Sequence, residues 1–196
     1  MSRYTGPKCK LCRREGVKLF LKGEKCESPK CPLLVRQVPP GGLHKRRSKT
    51  SDFKVQLREK QKVKRLYIIG ERQFRNYYLV SRKSSLNTGE ELLSHLERRL
   101  DNVVYRLGLS ASRAQARQKI RHGHFRIADR LVNMPAYEVE LGDVIKFKKE
   151  PLEGKIAPTW LDLSAKKKEA KVLSLPNRSQ VTEDINEQLI IEFYSR

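Results

Sequence analysis

Over 196 residues, 43 Lys and Arg stand against 22 Asp and Glu, a formal net charge of +21, and 38 % of the residues are hydrophobic. That excess goes far beyond the roughly 2–8 charges that keep a small domain soluble; it points to a polyanionic partner whose condensed counterions are released on binding, with an anionic lipid surface as the rival. No stretch reaches the roughly 18 apolar residues of a membrane span, and Met1-Ser2-Arg3-Tyr4 lacks a signal peptide's apolar region, so one or two domains with a modest core are expected to stay in the compartment where they are made.

Residues 1–51 read as an irregular arm, punctuated by Gly6, Pro7, Pro29, Pro32, Pro39, Pro40, Gly41 and Gly42. Such an arm cannot order itself by burial alone. It holds all four cysteines: Cys9 and Cys12 with two residues between them, then thirteen residues, then Cys26 and Cys31 with four between them. These pairings suit a closed tetrahedral shell of thiolates and hence a structural zinc, since a catalytic zinc keeps one position open for water. Lys8, Lys10, Lys25 and Lys30 would offset the negative charge. An iron–sulfur cluster also fits four cysteines, without any electron-transfer context. A disulfide framework would be accompanied by a secretory signal, and four unrelated free thiols are the bland reading. The arm ends in a basic run that includes Lys45, Arg46, Arg47 and Lys49.

Residues 52–84 are predicted helical. Asp52 can cap the first turn, Phe53 and Leu57 share a face, and Tyr67, Phe74 and Tyr78 continue an apolar stripe. Gly70 marks a break between two helices. Between the apolar positions stand Arg58, Lys60, Lys62, Lys64, Arg65, Arg72 and Arg75, which the whole-chain charge favours as a phosphate-facing surface over a merely solvated one. Residues 88–107 form the clearest helix. Thr88 caps it, Glu91 stands in capping-box position, a stripe runs from Leu92 through Leu96, Leu100 and Val104 to Leu107, and Gly108 stops it. A shorter helix capped by Ser110 or Ser112 runs to Gly123. Strands are then expected around Phe125 and Ile127, at Val139, and over Val144 to Phe147 after the Gly142-Asp143 turn. Residues 148–175 read as loop around Trp160 and Leu161, with Lys166, Lys167 and Lys168 exposed. Leu189 to Phe193 suggest a final strand.

Within the short helix, Arg113, Arg117 and Arg121 recur every four residues. They are expected to share one outward face as a row of guanidiniums suited to phosphates, with Ala114, Ala116 and Ile120 packed inward. Gln115 and Gln118 can bond sugars or bases, or simply face water. His122 and His124 extend the polar end; with no further ligands nearby they are a weak metal pair, and contact with RNA or solvent is the better reading.

The stretch from Leu96-Glu97-Arg98-Arg99-Leu100 through Arg121-His122-Gly123-His124 to Gly142-Asp143-Val144-Ile145 closely resembles the RNA-binding module of the small-subunit ribosomal protein four family. Similar modules occur in some pseudouridine synthases and tyrosyl-tRNA synthetases. The resemblance extends over essentially the full chain: Met1 to Pro7 looks like the family's start, Ser51-Asp52-Phe53 and Glu71-Arg72-Gln73-Phe74 like its helical domain, and Ile185 to Ser195 like its C-terminus. One departure stands out, since Ala128-Asp129 occupies the place where the family usually has an Asn-Gly turn. The cysteines match the bacterial-type members that carry zinc in this arm, whereas other members lack it.

The resemblance implies an α+β protein, cytoplasmic and within the ribosome. It implies direct, early binding of small-subunit ribosomal RNA, nucleation of the subunit body, and a contribution to translational accuracy. Its implied neighbours are small-subunit proteins three, five and twelve and the messenger RNA where it enters the subunit. The organisation expected is a zinc-binding basic arm over 1–51 and a helical domain over 52–87 completed by 176–196. An RNA-binding module follows over 88–150 and a basic loop region over 151–175. RNA contacts are expected from Arg3, Lys8, Lys45, Arg46, Arg47, Lys49, Lys60, Lys64, Arg65 and Arg72, and from Arg113, Gln115, Arg117, Gln118, Arg121, His122 and His124. An RNA-modifying enzyme with the same module would need a catalytic domain for which there is little room, and no phosphate-cradling glycine loop is present. A zinc-bearing transcription factor is the other rival.

Overall fold

Helices build the first part of the chain and an antiparallel sheet much of the rest, an α+β architecture. The computed structural model describes residues 4–41, 50–84, 87–148, 151–152 and 156–196. Two units emerge: Met1–Lys83 with Asp184–Arg196, and Ser84–Glu183.

In the first unit the arm forms helix α1 (Lys8–Glu15) and two single turns, α2 (Glu24–Glu27) and α3 (Pro32–Val35). Gly16 ends α1 in the left-handed region at φ 74°, where its N–H donates to the Cys12 carbonyl at 2.8 Å. The arm is not coreless as expected: Leu19, Leu21 and Leu33 are buried together with Cys12, Cys26 and Cys31. Helix α4 (Asp52–Leu66) is capped by Ser51, whose hydroxyl accepts from the Lys54 N–H, while Asp52 takes the first helical position. There its charge still favours the positive end of the helix dipole. The chain breaks before α5 (Glu71–Lys83), with Ile68 at φ 55° just ahead of Gly70.

The expected C-terminal strand is a helix, α9 (Glu187–Ser195), capped by the Asn186 side chain and lying along α4. A five-residue apolar run fits either element. Packing decides for the helix: Ile190 is fully buried, Phe193 meets Phe53 with centroids 5.6 Å apart, and Tyr194 stacks on Tyr78 at 4.7 Å.

In the second unit the long helix expected over 88–107 is two: α6 (Thr88–Glu97), capped by Asn87, and α7 (Leu100–Arg106). The apolar stripe from Leu92 to Leu107 is buried throughout, but Arg99 is extended at ψ 132° and interrupts the helix. Three bonds stabilise that break. Leu100 N–H donates to the Tyr137 carbonyl at 2.8 Å, Val139 N–H to the Arg98 carbonyl at 2.9 Å, and the Asn102 amide to the Glu97 carbonyl at 3.0 Å. Gly108, at φ 71°, ends α7 as expected. Helix α8 (Arg113–Arg121) follows, capped by Ser112.

Strands β1 (Phe125–Ile127), β2 (Arg130–Leu131), β3 (Val144–Phe147), β4 (Leu161–Ser164) and β5 (Glu169–Val172) form one antiparallel sheet in the order β2-β1-β3-β5-β4. The loop expected over 148–175 thus contains a hairpin. Its lysines occupy the turn, exposed, while Trp160, Leu161, Ala170 and Val172 join the core built by α7, α8 and β1. The β1–β2 turn is closed by Ala128 at φ 44° and Asp129 at φ 69°. Two positive φ angles are what a two-residue hairpin loop requires, and here neither residue is glycine.

Candidate nucleic-acid interface

The row of three arginines does not face outward as a row. Arg113 is only 3 % exposed. Its Nε donates to Asn102 Oδ1 at 2.7 Å, one Nη donates to Glu183 Oε1 at 2.7 Å, and the guanidinium lies 4.6 Å from the Tyr105 ring centroid. Arg106 bonds Glu97 through Nε at 3.0 Å and Nη2 at 2.8 Å, and also bonds Glu183. Arg99 and Arg117 share Asp101, at 2.8 Å and 2.7 Å. A four-residue step over-rotates by roughly 40° on a helix of 3.6 residues per turn, so the first and third members of the row differ by roughly 80°. That drift turns Arg113 and Arg117 toward Asp101 on α7 and toward Glu183. Burial raises the Glu183 carboxyl, but the charges of Arg113 and Arg106 outweigh it and hold the group at about 2.

What remains exposed along α8 and at the start of the sheet is Gln115, Gln118, Arg121, His122 and His124. The His122 and His124 rings lie 6.3 Å apart, centroid to centroid. Gly123 joins helix to strand at φ 71°, a left-handed conformation that glycine accepts without strain. Arg126 and Arg130 continue the exposed basic surface; they were missed from sequence, although the in–out alternation of Phe125-Arg126-Ile127 places Arg126 outward. Lys119 instead turns back and donates to the Leu109 carbonyl.

The charges expected to line α4 are largely engaged within the first unit. Lys60, 5 % exposed, bonds Glu71 at 2.7 Å and sits 4.2 Å from the Phe193 ring centroid, and Lys64 reaches the same carboxylate at 2.9 Å. Burial opposes ionisation of Glu71, yet hydrogen bonds from Lys60, Lys64 and Tyr194 bring it to about 2. Arg65 and Arg58 converge on Glu15, whose side chain is buried; burial pushes that carboxyl up against the pull of the two arginines. Lys8 is half-buried and directs Nζ to the Leu21 carbonyl at 3.4 Å. Arg72 is exposed, as are Arg75 and Arg82 on the same helix. Arg3, Lys45, Arg46, Arg47 and Lys49 lie outside the described residues.

The zinc expectation is corrected. Among the described residues no group of three or more His, Cys, Asp or Glu is placed to hold a metal ion. Cys12, Cys26 and Cys31 are buried and Cys9 half-buried. Burial pushes the Cys12 thiol up, and its cysteine neighbours add to the rise against a lowering hydrogen bond from the Leu19 backbone. In this structure the arm is held by its small apolar core and by the ion pairs of Glu15 with α4.

Two family models cover most of the chain: the ribosomal protein S4/S9 N-terminal domain over residues 3–97 and the S4 domain over residues 98–145. The chain is 50 % identical to small ribosomal subunit protein uS4A of Symbiobacterium thermophilum and 48 % identical to uS4 of Halothermothrix orenii. It is 49 % identical to uS4 of Geobacter sp. strain M21. In each case all of this chain and all of the relative are covered. With both domains matched in order and half the residues shared from end to end, the chain belongs to the uS4 family of small ribosomal subunit proteins.

Proposed function

We propose that this chain is a structural, non-enzymatic component of the small ribosomal subunit that binds small-subunit ribosomal RNA directly. The observation that carries this is the full-length likeness to proteins named for that subunit. The charge distribution supports it. Ion pairs bind Arg99, Arg106, Arg113 and Arg117 to acids within the second unit, and leave Arg121, His122, His124, Arg126 and Arg130 on its surface. The inner pairs hold α8 on α7, so the outer cations meet RNA on a rigid platform and lose little side-chain freedom beyond their own. Gln115 and Gln118, exposed on the same helix, add bonding to sugars or base edges. A rigid cationic body also reduces repulsion between converging RNA helices. On this basis we assign the chain the early role in assembling the subunit body. Neighbouring small-subunit proteins three, five and twelve and incoming messenger RNA are its further partners, and the contact with protein five bears on decoding accuracy.

Sedimentation with small subunits and filter binding to small-subunit RNA test this. About five phosphate contacts give a slope of log affinity against log salt near −4. A fourfold rise in salt should then weaken binding by roughly two to three orders of magnitude. A flat slope, or a protein that leaves the subunit during sedimentation at low salt, refutes the proposal.

A further inference from the structure

The surface next to the exposed histidines is not merely charged. A part-open cleft of about 80 Å³ lies where α8 hands the chain to β1 and where β3 ends; Leu109, Lys119, His124, Phe125, Phe147 and Lys148 line it. Phe125 and Phe147 are directly opposed partners on β1 and β3, and they form an apolar floor with Leu109. The rim is basic. Lys119 is anchored across it through the Leu109 carbonyl, His124 N–H donates to the Lys119 carbonyl at 3.2 Å, and Lys148 is exposed just beyond β3. Among the described residues, no carboxylate lines it.

We infer that this cleft receives one unpaired nucleotide of the bound RNA, base inward and backbone phosphate at the rim. The inference rests on the RNA-binding reading above and gives it a site. Two lysines and a histidine, with no acid among the described lining residues, select an anion, and an apolar floor behind them selects an anion that carries a flat, poorly solvated group. A phosphate within a regular duplex cannot bring its base to the floor, because the base is stacked and paired. A looped or bulged nucleotide can, and such nucleotides are the usual targets of selective RNA recognition. The two phenylalanines are 3 % and 6 % exposed, so the base touches only the small part of each ring that the cleft uncovers. The His124 ring, exposed at the mouth, supplies the stacking surface.

The test uses the full chain. Side-chain NMR signals are followed during titration with AMP, with UMP and with inorganic phosphate. Both nucleotides should shift the Leu109 methyl and the Phe125 and Phe147 ring signals, whereas phosphate should shift only Lys119, His124 and Lys148. Floor signals that respond to nucleotide no more than to phosphate overturn the inference, as does an acidic peptide that moves them when neither nucleotide does. In parallel, the Lys119→Gln/Lys148→Gln double variant is compared with the parent by filter binding to small-subunit RNA, with a thermal melt as control. Binding should weaken about tenfold and the salt slope should become shallower by roughly 0.7–0.9, the change for one phosphate contact. A variant that folds and binds like the parent removes the cleft from the interface while leaving RNA binding intact; a parent that does not bind at all sinks both proposals.

Discussion

Replacing Glu183 by Gln removes the charge shared by Arg106 and Arg113 and keeps nearly the same shape. The carboxyl is depressed from 4.5 to about 2, which at about 1.4 kcal/mol per pH unit is worth roughly 3 kcal/mol. Its side chain is 19 % exposed and that of Arg113 is 3 % exposed, so solvent screens the pair little, and the figure agrees with the roughly 3–5 kcal/mol for breaking a buried pair. Because the folded-state value lies below the unfolded one, the stabilisation is fully present above about pH 4.5 and drains away as the pH falls toward 2. At pH 3 less than half remains, about 1.4 kcal/mol. Trp160 is the sole tryptophan and is buried in the core of the same unit, so its fluorescence reports urea unfolding there. The variant should lose about 3 kcal/mol at pH 7, which is on the order of 10–20 °C in melting temperature for a unit of this size, and the gap should narrow by more than half at pH 3. A gap that stays the same at both pH values, or no loss at pH 7, refutes the electrostatic account of this network.

Arg113→Glu should destabilise the second unit by about 3–5 kcal/mol, whereas Arg121→Glu should leave the urea midpoint unchanged and weaken RNA binding; the reverse pattern would mean that the inward and outward assignments are exchanged. Ala128→Asn should stabilise by about 0.5–1 kcal/mol, because Asn accepts a positive φ more readily than Ala without glycine's entropy; differential calorimetry of the two proteins checks this. Glu71→Gln should cost under about 1 kcal/mol despite a similarly depressed carboxyl, because the Glu71 side chain is 45 % exposed and solvent screens its pairs. Raising the salt should erase that small difference but preserve most of the Glu183 effect, and equal losses at the two positions would show that burial does not govern them.

Local patterns carried far into the fold. The stripe from Leu92 to Leu107, the stop at Gly108, the cap at Ser112 and the strand over Val144 to Phe147 each depend on neighbours a few residues away, which a sequence displays directly. The misses needed partners distant in the chain. Arg99 breaks a helix whose apolar pattern is uninterrupted, because bonds from Tyr137 and Val139 reward the extended conformation. Leu189 to Phe193 become helical because α4 offers a surface to pack on. The β4–β5 hairpin hid behind its own lysines: Lys166, Lys167 and Lys168 fill the turn, and only alternation at Leu161 and Leu163 against Ala170 and Val172 gives the strands away.

The candidate site shows why cations are harder to read than apolar residues. An apolar residue faces inward whatever its partner, so periodicity alone places it. A guanidinium goes wherever an acid and enough burial can hold it, and for Arg113 that acid is Glu183, 70 positions later. Lys60 and Lys64 likewise answer to Glu71, and Arg65 to Glu15, fifty positions before it. Net charge therefore states how much cation must face a polyanion, because each internal pair removes equal amounts of both signs and leaves the excess of +21 untouched. It says nothing of which residues make up that excess. On α8 the division follows the helix drift: the end turned toward Asp101 and Glu183 is spent on holding the fold, and the far end, from Arg121 to His124, is left on the surface. The same division explains why the basic rim around Phe125 and Phe147 escaped the sequence, since Leu109, Lys119, Phe147 and Lys148 meet only when β3 pairs with β1.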